Sequence, residues 1–275
     1  MNIFKKIPEH IRKHPRKLLL RKSPVNAFRM MMDCRKLRTG IAPVSAGVLD
    51  KTPLSYDQLT LGYCFAEAAA GAYDTEYFKQ YGHYYNPSPM FIGNMTKFLE
   101  GSFGVDNGAT NAGAINALRQ YGVCKDSEFT YGESNLAVMP PENVMVNAKL
   151  ATLIGSYGID AGDVDSIELA IANGYSPTFG SKLYAQFMSD EAAKTGIIDT
   201  PTWYQKWMNV GFQGCHAQRF VWYDRSKRIF RVRGSWNTTW GDHGDCYMGY
   251  DYIGDSNLVW DIDVMSQTNI GEIAA

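Results

Sequence analysis

The order of local patterns predicts an α+β fold, with a helical lobe at about 57–140 packed against an antiparallel β lobe at about 150–275 and a cleft between them. Three observations carry this. The first half holds an alanine-rich run and helix punctuation by proline and glycine, and the last third alternates apolar and polar residues between turns. At 275 residues, 45% hydrophobic and 13% aromatic, the chain can bury the core of one large domain or two small lobes. No repeat or low-complexity tract interrupts it, and no apolar stretch is long enough for a membrane span.

The chain begins with a basic arm, residues 1–32. Residues 1–40 carry 12 Lys and Arg against Glu9 and Asp33, although the whole chain balances 27 basic with 28 acidic residues. Lys5, Lys6, Arg12, Lys13, Arg16, Lys17, Arg21 and Lys22 are interrupted by Pro8, Pro15 and Pro24, with no sustained helical stripe. The plain reading is a solvated, partly disordered tail. Contact with nucleic acid or an acidic surface, and a propeptide remnant cut near Met30–Met32, are the alternatives. Leu18-Leu19-Leu20 is too short for a secretory apolar segment. Five cysteines without framework spacing fit a reducing, cytoplasmic compartment, or a virion if the gene is a phage's.

Gly40, Pro43, Gly47 and Pro53 mark a looped path up to Tyr56. A helix is predicted from Cys64 to about Gln80, its small residues Ala66 to Ala72 suiting close approach on several sides. Asn86-Pro87-Ser88-Pro89 opens a second helix, from Met90 to about Glu100. A Gly104–Thr110 loop leads to a third, from about Asn111 to Tyr121, ended by Gly122. After a crossing at Tyr131–Pro141 comes a helix over Asp163–Asn173, then a strand entered at Tyr175–Gly180. Ser189–Tyr204 reads as a polar surface loop. Strands follow at Arg219–Tyr223, Arg228–Arg233 and Tyr247–Tyr250, with Phe220 and Trp222 on one side and Arg231 and Arg233 on a wet face.

Chemistry concentrates at two places. Gly62 precedes Cys64 by two residues, a tight turn that delivers the thiol to the first turn of a helix, where unpaired N–H groups favour the thiolate. The partner is His216, in Gly214-Cys215-His216-Ala217. Taken singly, a cysteine and a histidine so far apart are ordinary core residues. Gln58, six residues before Cys64, adds a side-chain amide that with the Cys64 N–H would form an oxyanion hole.

Asp57-Gln58-(x)3-Gly62-Tyr63-Cys64-Phe65-Ala66 resembles the nucleophile segment of papain-like (C1 family) cysteine peptidases, in particular divergent bacterial and phage forms. Gly214-Cys215-His216-Ala217, followed by Phe230 to Asp242, resembles their histidine segment and the Asn-Ser-Trp-Gly segment after it. Asp33-Cys34-Arg35 resembles the start of the mature domain, so the likeness spans roughly 33–263. It implies a two-lobed peptidase in which Cys64 attacks a peptide carbonyl, His216 shuttles the proton and Gln58 holds the oxyanion. Gly108 and Ala109 would offer backbone groups to an extended peptide, and Trp236, grouped with them at the substrate side, would shield the histidine. No cofactor or metal is implied.

Two positions depart from the pattern. Gly234 stands where the family places the asparagine that orients the histidine, and Asn237 where a glycine follows Ser-Trp. A catalytically impaired relative that binds a peptide in the cleft is therefore the alternative, and acyl transfer or deamidation by the same dyad a third. Two lesser readings involve Cys215: a reversible disulfide with Cys64, and a metal site completed by His216, His243 and Cys246.

Overall fold

The computed structural model describes residues 16–24 and 42–270. Helix α1 (Cys64–Tyr81) is buried for most of its length and stops where Gly82 takes the left-handed conformation, φ 78°. Its glycine at 71 answers a specific demand. A Cβ there would lie 2.3 Å from Nε of Arg219, whose fully buried guanidinium crosses between the lobes to the Pro53 carbonyl at 2.9 Å and the Thr52 hydroxyl. Burial pulls that guanidinium down to about 9.

Helix α2 (Pro89–Leu99) starts on a Ser88 cap that accepts the Phe91 N–H, with proline in its first position, and α3 (Asn111–Gln120) starts on Thr110, which accepts from Gly113. The crossing at Tyr131–Pro141 contains a 3₁₀ turn, Glu133–Asn135, and α4 (Glu142–Ala148) closes the helical lobe.

The β lobe is built from an eight-stranded sheet ordered β2-β8-β3-β5-β6-β7-β4, with β1 (Ser45–Gly47) paired to β5 off that path. In chain order its members are β2 (Ala151–Ile159), β3 (Thr178–Tyr184), β4 (Ile197–Ile198), β5 (Phe212–Asp224), β6 (Ile229–Arg233), β7 (Asp245–Gly249) and β8 (Val259–Ile270). Every pairing is antiparallel except β4 with β7. Helix α5 (Val164–Ala172) lies between β2 and β3 in the chain and is capped by Asp163. One apolar cluster fills the helical lobe around α1, and a second fills the β lobe around Phe179, Phe220 and Phe230.

The structure corrects three readings. Ser189–Tyr204 holds helix α6 (Asp190–Thr195), strand β4 and the start of α7 (Trp203–Met208), each helix with its own serine or threonine cap. Phe220 and Trp222 do not share a face against β6: Phe220 pairs with Val232 and Trp222 with Arg231, so Val221 is bulged and the alternation is offset by one. The wet face is also partly dry, since Arg233 is buried in a two-pronged pair with Asp245, at 2.6 and 2.8 Å. Strand β2 and the length of β8 went unread, because long non-local pairing creates them. The segments at Asp33–Arg35 and Met30–Met32 lie outside the described residues.

Candidate active site

Cys64 is the first residue of α1, and α1 packs on β5. The Ala217 N–H on β5 donates to Cys64 Sγ at 3.4 Å, which sets the thiol against the backbone next to His216. His216 is fully buried beside Trp236 and Phe187, with ring centroids 5.6 and 6.3 Å away. Neither of its ring nitrogens has a hydrogen-bond partner among the described residues. Trp236, 3% exposed, packs on the imidazole.

Gln58 is held from both ends. Ser235 Oγ donates to its Oε1 at 2.7 Å, and its Nε2 donates to the Leu61 carbonyl at 2.9 Å and the Lys17 carbonyl at 3.1 Å. Tyr131 O–H donates to its main-chain carbonyl at 3.2 Å.

The Lys17 contact belongs to a strap. Residues 16–24 lie extended along the site, parallel to β5 at Leu19 and Cys215. Cys215 N–H donates to the Leu18 carbonyl at 3.2 Å, and Leu20 N–H donates back to Cys215 at 3.1 Å. On the helical-lobe side Arg21 N–H donates to the Ala109 carbonyl at 2.9 Å. Gly108, φ +68°, leaves so little room that a Cβ would lie 1.8 Å from the Leu19 carbonyl oxygen. Gly108 and Ala109 thus meet an extended peptide through their backbone.

Side chains complete the strap's seat. Arg16 pairs with Asp57 and donates to the Leu59 carbonyl at 3.1 Å, Lys17 pairs with Asp106, and Arg21 with Glu100. Leu20 is buried with the helical-lobe core. The solvated-tail reading therefore fails for these residues. Their cations are taken by the chain's own carboxylates, which leaves the alternative of nucleic-acid contact without support.

Burial works against the thiolate expected from the helix terminus. Burial pushes the Cys64 thiol up to about 12, against the opposing pull of the Ala217 N–H. Burial, with the nearby Arg16 charge second, drives His216 down to about 3. Burial thus favours the neutral form of both thiol and imidazole. Glu67, one turn along α1, is buried too, and burial followed by the Asp57 charge holds its carboxyl well above the usual range. Sequence reasoning passed over Glu67, Asp106 and Glu100; a glutamate inside an alanine-rich run was the one local signal.

No protein-family model matches the chain. An uncharacterized peptidase C1-like protein of Acanthamoeba polyphaga mimivirus is 32% identical over 219 residues, covering 77% of this chain and 69% of the viral protein. The chain belongs to the papain-like C1 peptidase family. Among solved structures, xylellain, a cysteine protease from Xylella fastidiosa, superposes at TM-score 0.81 with 23% identity, over 98% of this chain and all (100%) of that one. Digestive procathepsin L 3 from the Tenebrio molitor larval midgut gives 0.60 at 18% identity, over 86% and 74%. These confirm the α+β papain-like fold.

In this C1-family chain, Gly234 does sit at the histidine. A Cβ on it would lie 3.9 Å from His216 Nε2 and 3.8 Å from Gln218 Nε2. Asn237 is no substitute: it takes φ 72° and donates to Asp57 at 3.0 Å. Cys215 is free, with its main chain engaged by the strap. His243 is exposed, Cys246 is buried on β7, and no cluster of three or more metal-ligating side chains occurs among the described residues. No described helix is long and apolar enough to cross a membrane.

Proposed function

We propose that the protein is a cysteine peptidase held in a latent form, in which Cys64 and His216 act as a dyad and Gln58 stabilises the oxyanion. The observation that carries this is the strap itself. The cleft binds an extended peptide by its main chain, through Cys215 and Ala109, and holds a peptide carbonyl on the Gln58 amide.

When the strap leaves, water reaches the site and the desolvation that keeps the dyad neutral is relieved; the Arg16 charge that opposes an imidazolium departs with it. A proton then moves from Cys64 to His216. The thiolate attacks the substrate carbonyl, and the negative oxygen is met by the Gln58 amide and the Cys64 N–H. The imidazolium gives its proton to the departing amine as the C–N bond breaks. Water, its proton taken by His216, hydrolyses the thioester and restores the thiol. Ser235, fixing Gln58 through Oε1, and the Leu61 carbonyl, accepting from Nε2, keep the remaining amide N–H aimed at the position that the Lys17 carbonyl holds.

A Leu20→Asp chain, whose strap cannot stay buried, incubated with an unstructured protein such as casein tests this. Fragments from that chain and none from Leu20→Asp/Cys64→Ser are expected. Binding without fragments in both favours the second reading, an impaired relative that captures peptides, for which Gly234 is the specific argument.

A further inference from the structure

The acids that seat the strap form a pattern of their own. Each uses part of its carboxylate to anchor itself to the fold and turns an oxygen to the strap. Asp106 Oδ1 accepts the Gly62 N–H at 2.8 Å, while Oδ2 meets Lys17. Glu100 Oε1 accepts the Thr110 hydroxyl at 2.9 Å, while Oε2 meets Arg21. Asp57 is fixed by the Leu59 N–H and the Asn237 amide, both at 3.0 Å, and meets Arg16. Their side chains are 8%, 18% and 26% exposed in that order. The fixed cation nearby, Lys97, is turned to Asn107 and the Gly108 carbonyl, so it does not occupy the oxygens that face the cleft.

The three carboxylates are thus placed by the fold and remain placed when the strap leaves. Removing Arg16, Lys17 and Arg21 leaves three oriented, partly desolvated oxygens along a groove whose middle buries Leu20 and partly buries Leu18, while Leu19 faces out. The strap reads Arg16-Lys17-Leu18-Leu19-Leu20-Arg21-Lys22, two cations, three leucines, two cations. That charge pattern is the same in either chain direction, so the acids meet cations whichever way a peptide lies.

We infer that the cleft selects peptides in which cationic side chains flank a short apolar run, and that Asp57, Asp106 and Glu100 read those cations. The inference rests on the peptidase reading for its catalytic consequence and on the strap contacts for its binding one. Asp57 and Asp106 serve the cations next to the carbonyl held by Gln58. Glu100 serves a cation about 17 Å along the extended chain from that at Asp57, five residues at roughly 3.3 Å each. Three ion pairs of ordinary surface strength together supply about a tenfold preference, reduced by salt.

The test uses the full chain carrying Leu20→Asp, with Cys64→Ser added for binding and without it for turnover. The probes are dye-labelled peptides of the sequence Arg-Lys-Leu-Leu-Leu-Arg-Lys and its counterpart with glutamine at all four cationic positions. Expected are a dissociation constant and a kcat/KM at least about tenfold better for the cationic peptide, with the advantage shrinking in high salt. Asp57→Asn, Asp106→Asn and Glu100→Gln should each remove part of it. Equal binding of the two peptides, or binding of neither, overturns the inference, and that comparison needs no variant of the three acids. Preferential binding with no turnover defeats the peptidase reading and leaves the inference standing. Equal binding and turnover of both peptides does the reverse.

Discussion

Replacing Gly108 by alanine should expel the strap. At φ +68° an alanine pays on the order of 1 kcal/mol of backbone strain, and its Cβ would lie 1.8 Å from the Leu19 carbonyl oxygen. That oxygen belongs to the backbone, so no side-chain rotation relieves the overlap and the strap must lift. With the thiol at about 12, the thiolate fraction at pH 7 is on the order of 10⁻⁵; at the ordinary value of 9.0 it is about 10⁻². Opening the cleft should therefore speed alkylation of Cys64 by about a thousandfold from ionisation alone, and more once His216 holds the proton. The assay is iodoacetamide labelling at pH 7 with site-resolved mass spectrometry, Cys124 and Cys246 serving as buried references and Cys215 as a second cysteine under the strap. Leu20→Asp should give the same acceleration from the strap's side, which separates cleft opening from local damage at Gly108. Folded Gly108→Ala and Leu20→Asp proteins that label Cys64 no faster than the parent would refute the argument.

Further outcomes follow from the same contacts. Gly234→Asn adds a Cβ at ordinary contact distance from His216 Nε2, so in a Leu20→Asp background its amide should bond the ring and raise kcat/KM by about two- to tenfold, one hydrogen bond's worth; an unchanged rate means the ring is already oriented. In a Cys64→Ser chain, which has no thiol proton to give the ring, His216 binds a proton near pH 3 with the strap seated and near its ordinary 6.5 in a solvated cleft, so the strap-free state holds more protons between those values. The closed state's advantage is full above pH 6.5 and falls on acidification, by about 30-fold at pH 5. Burial raises Asp57's carboxyl less than Arg16, Leu59 and Asn237 lower it, so that pair stays ionised at pH 5. Hydrogen exchange at the Leu20 and Arg21 amides, corrected for intrinsic rates, reads the shift. Asp245→Asn strands buried Arg233 and weakens Arg231, and should cost about 3–5 kcal/mol in denaturant unfolding. Gly71→Ala drives a methyl into the Arg219 guanidinium and should lose about 3 kcal/mol, visible as a lowered Tm.

The sequence by itself determined the features whose causes are local. Helix starts were legible at Cys64 and Asn111, and to within one residue at Met90, because turn and cap residues act on their own neighbours, and the family resemblance was legible because a motif keeps order and spacing. The strap was not. Its charges and prolines read as a solvated tail, since nothing within residues 16–24 says that Asp57, Asp106 and Glu100 wait elsewhere in the chain. The protonation state of the site was hidden for the same reason. A helix terminus favours a thiolate, but burial outweighs it, and burial is a property of the folded whole. Strand β2, the bulge at Val221 and the buried Arg219 likewise exist because separate parts of the chain meet, and only the tertiary structure decided them.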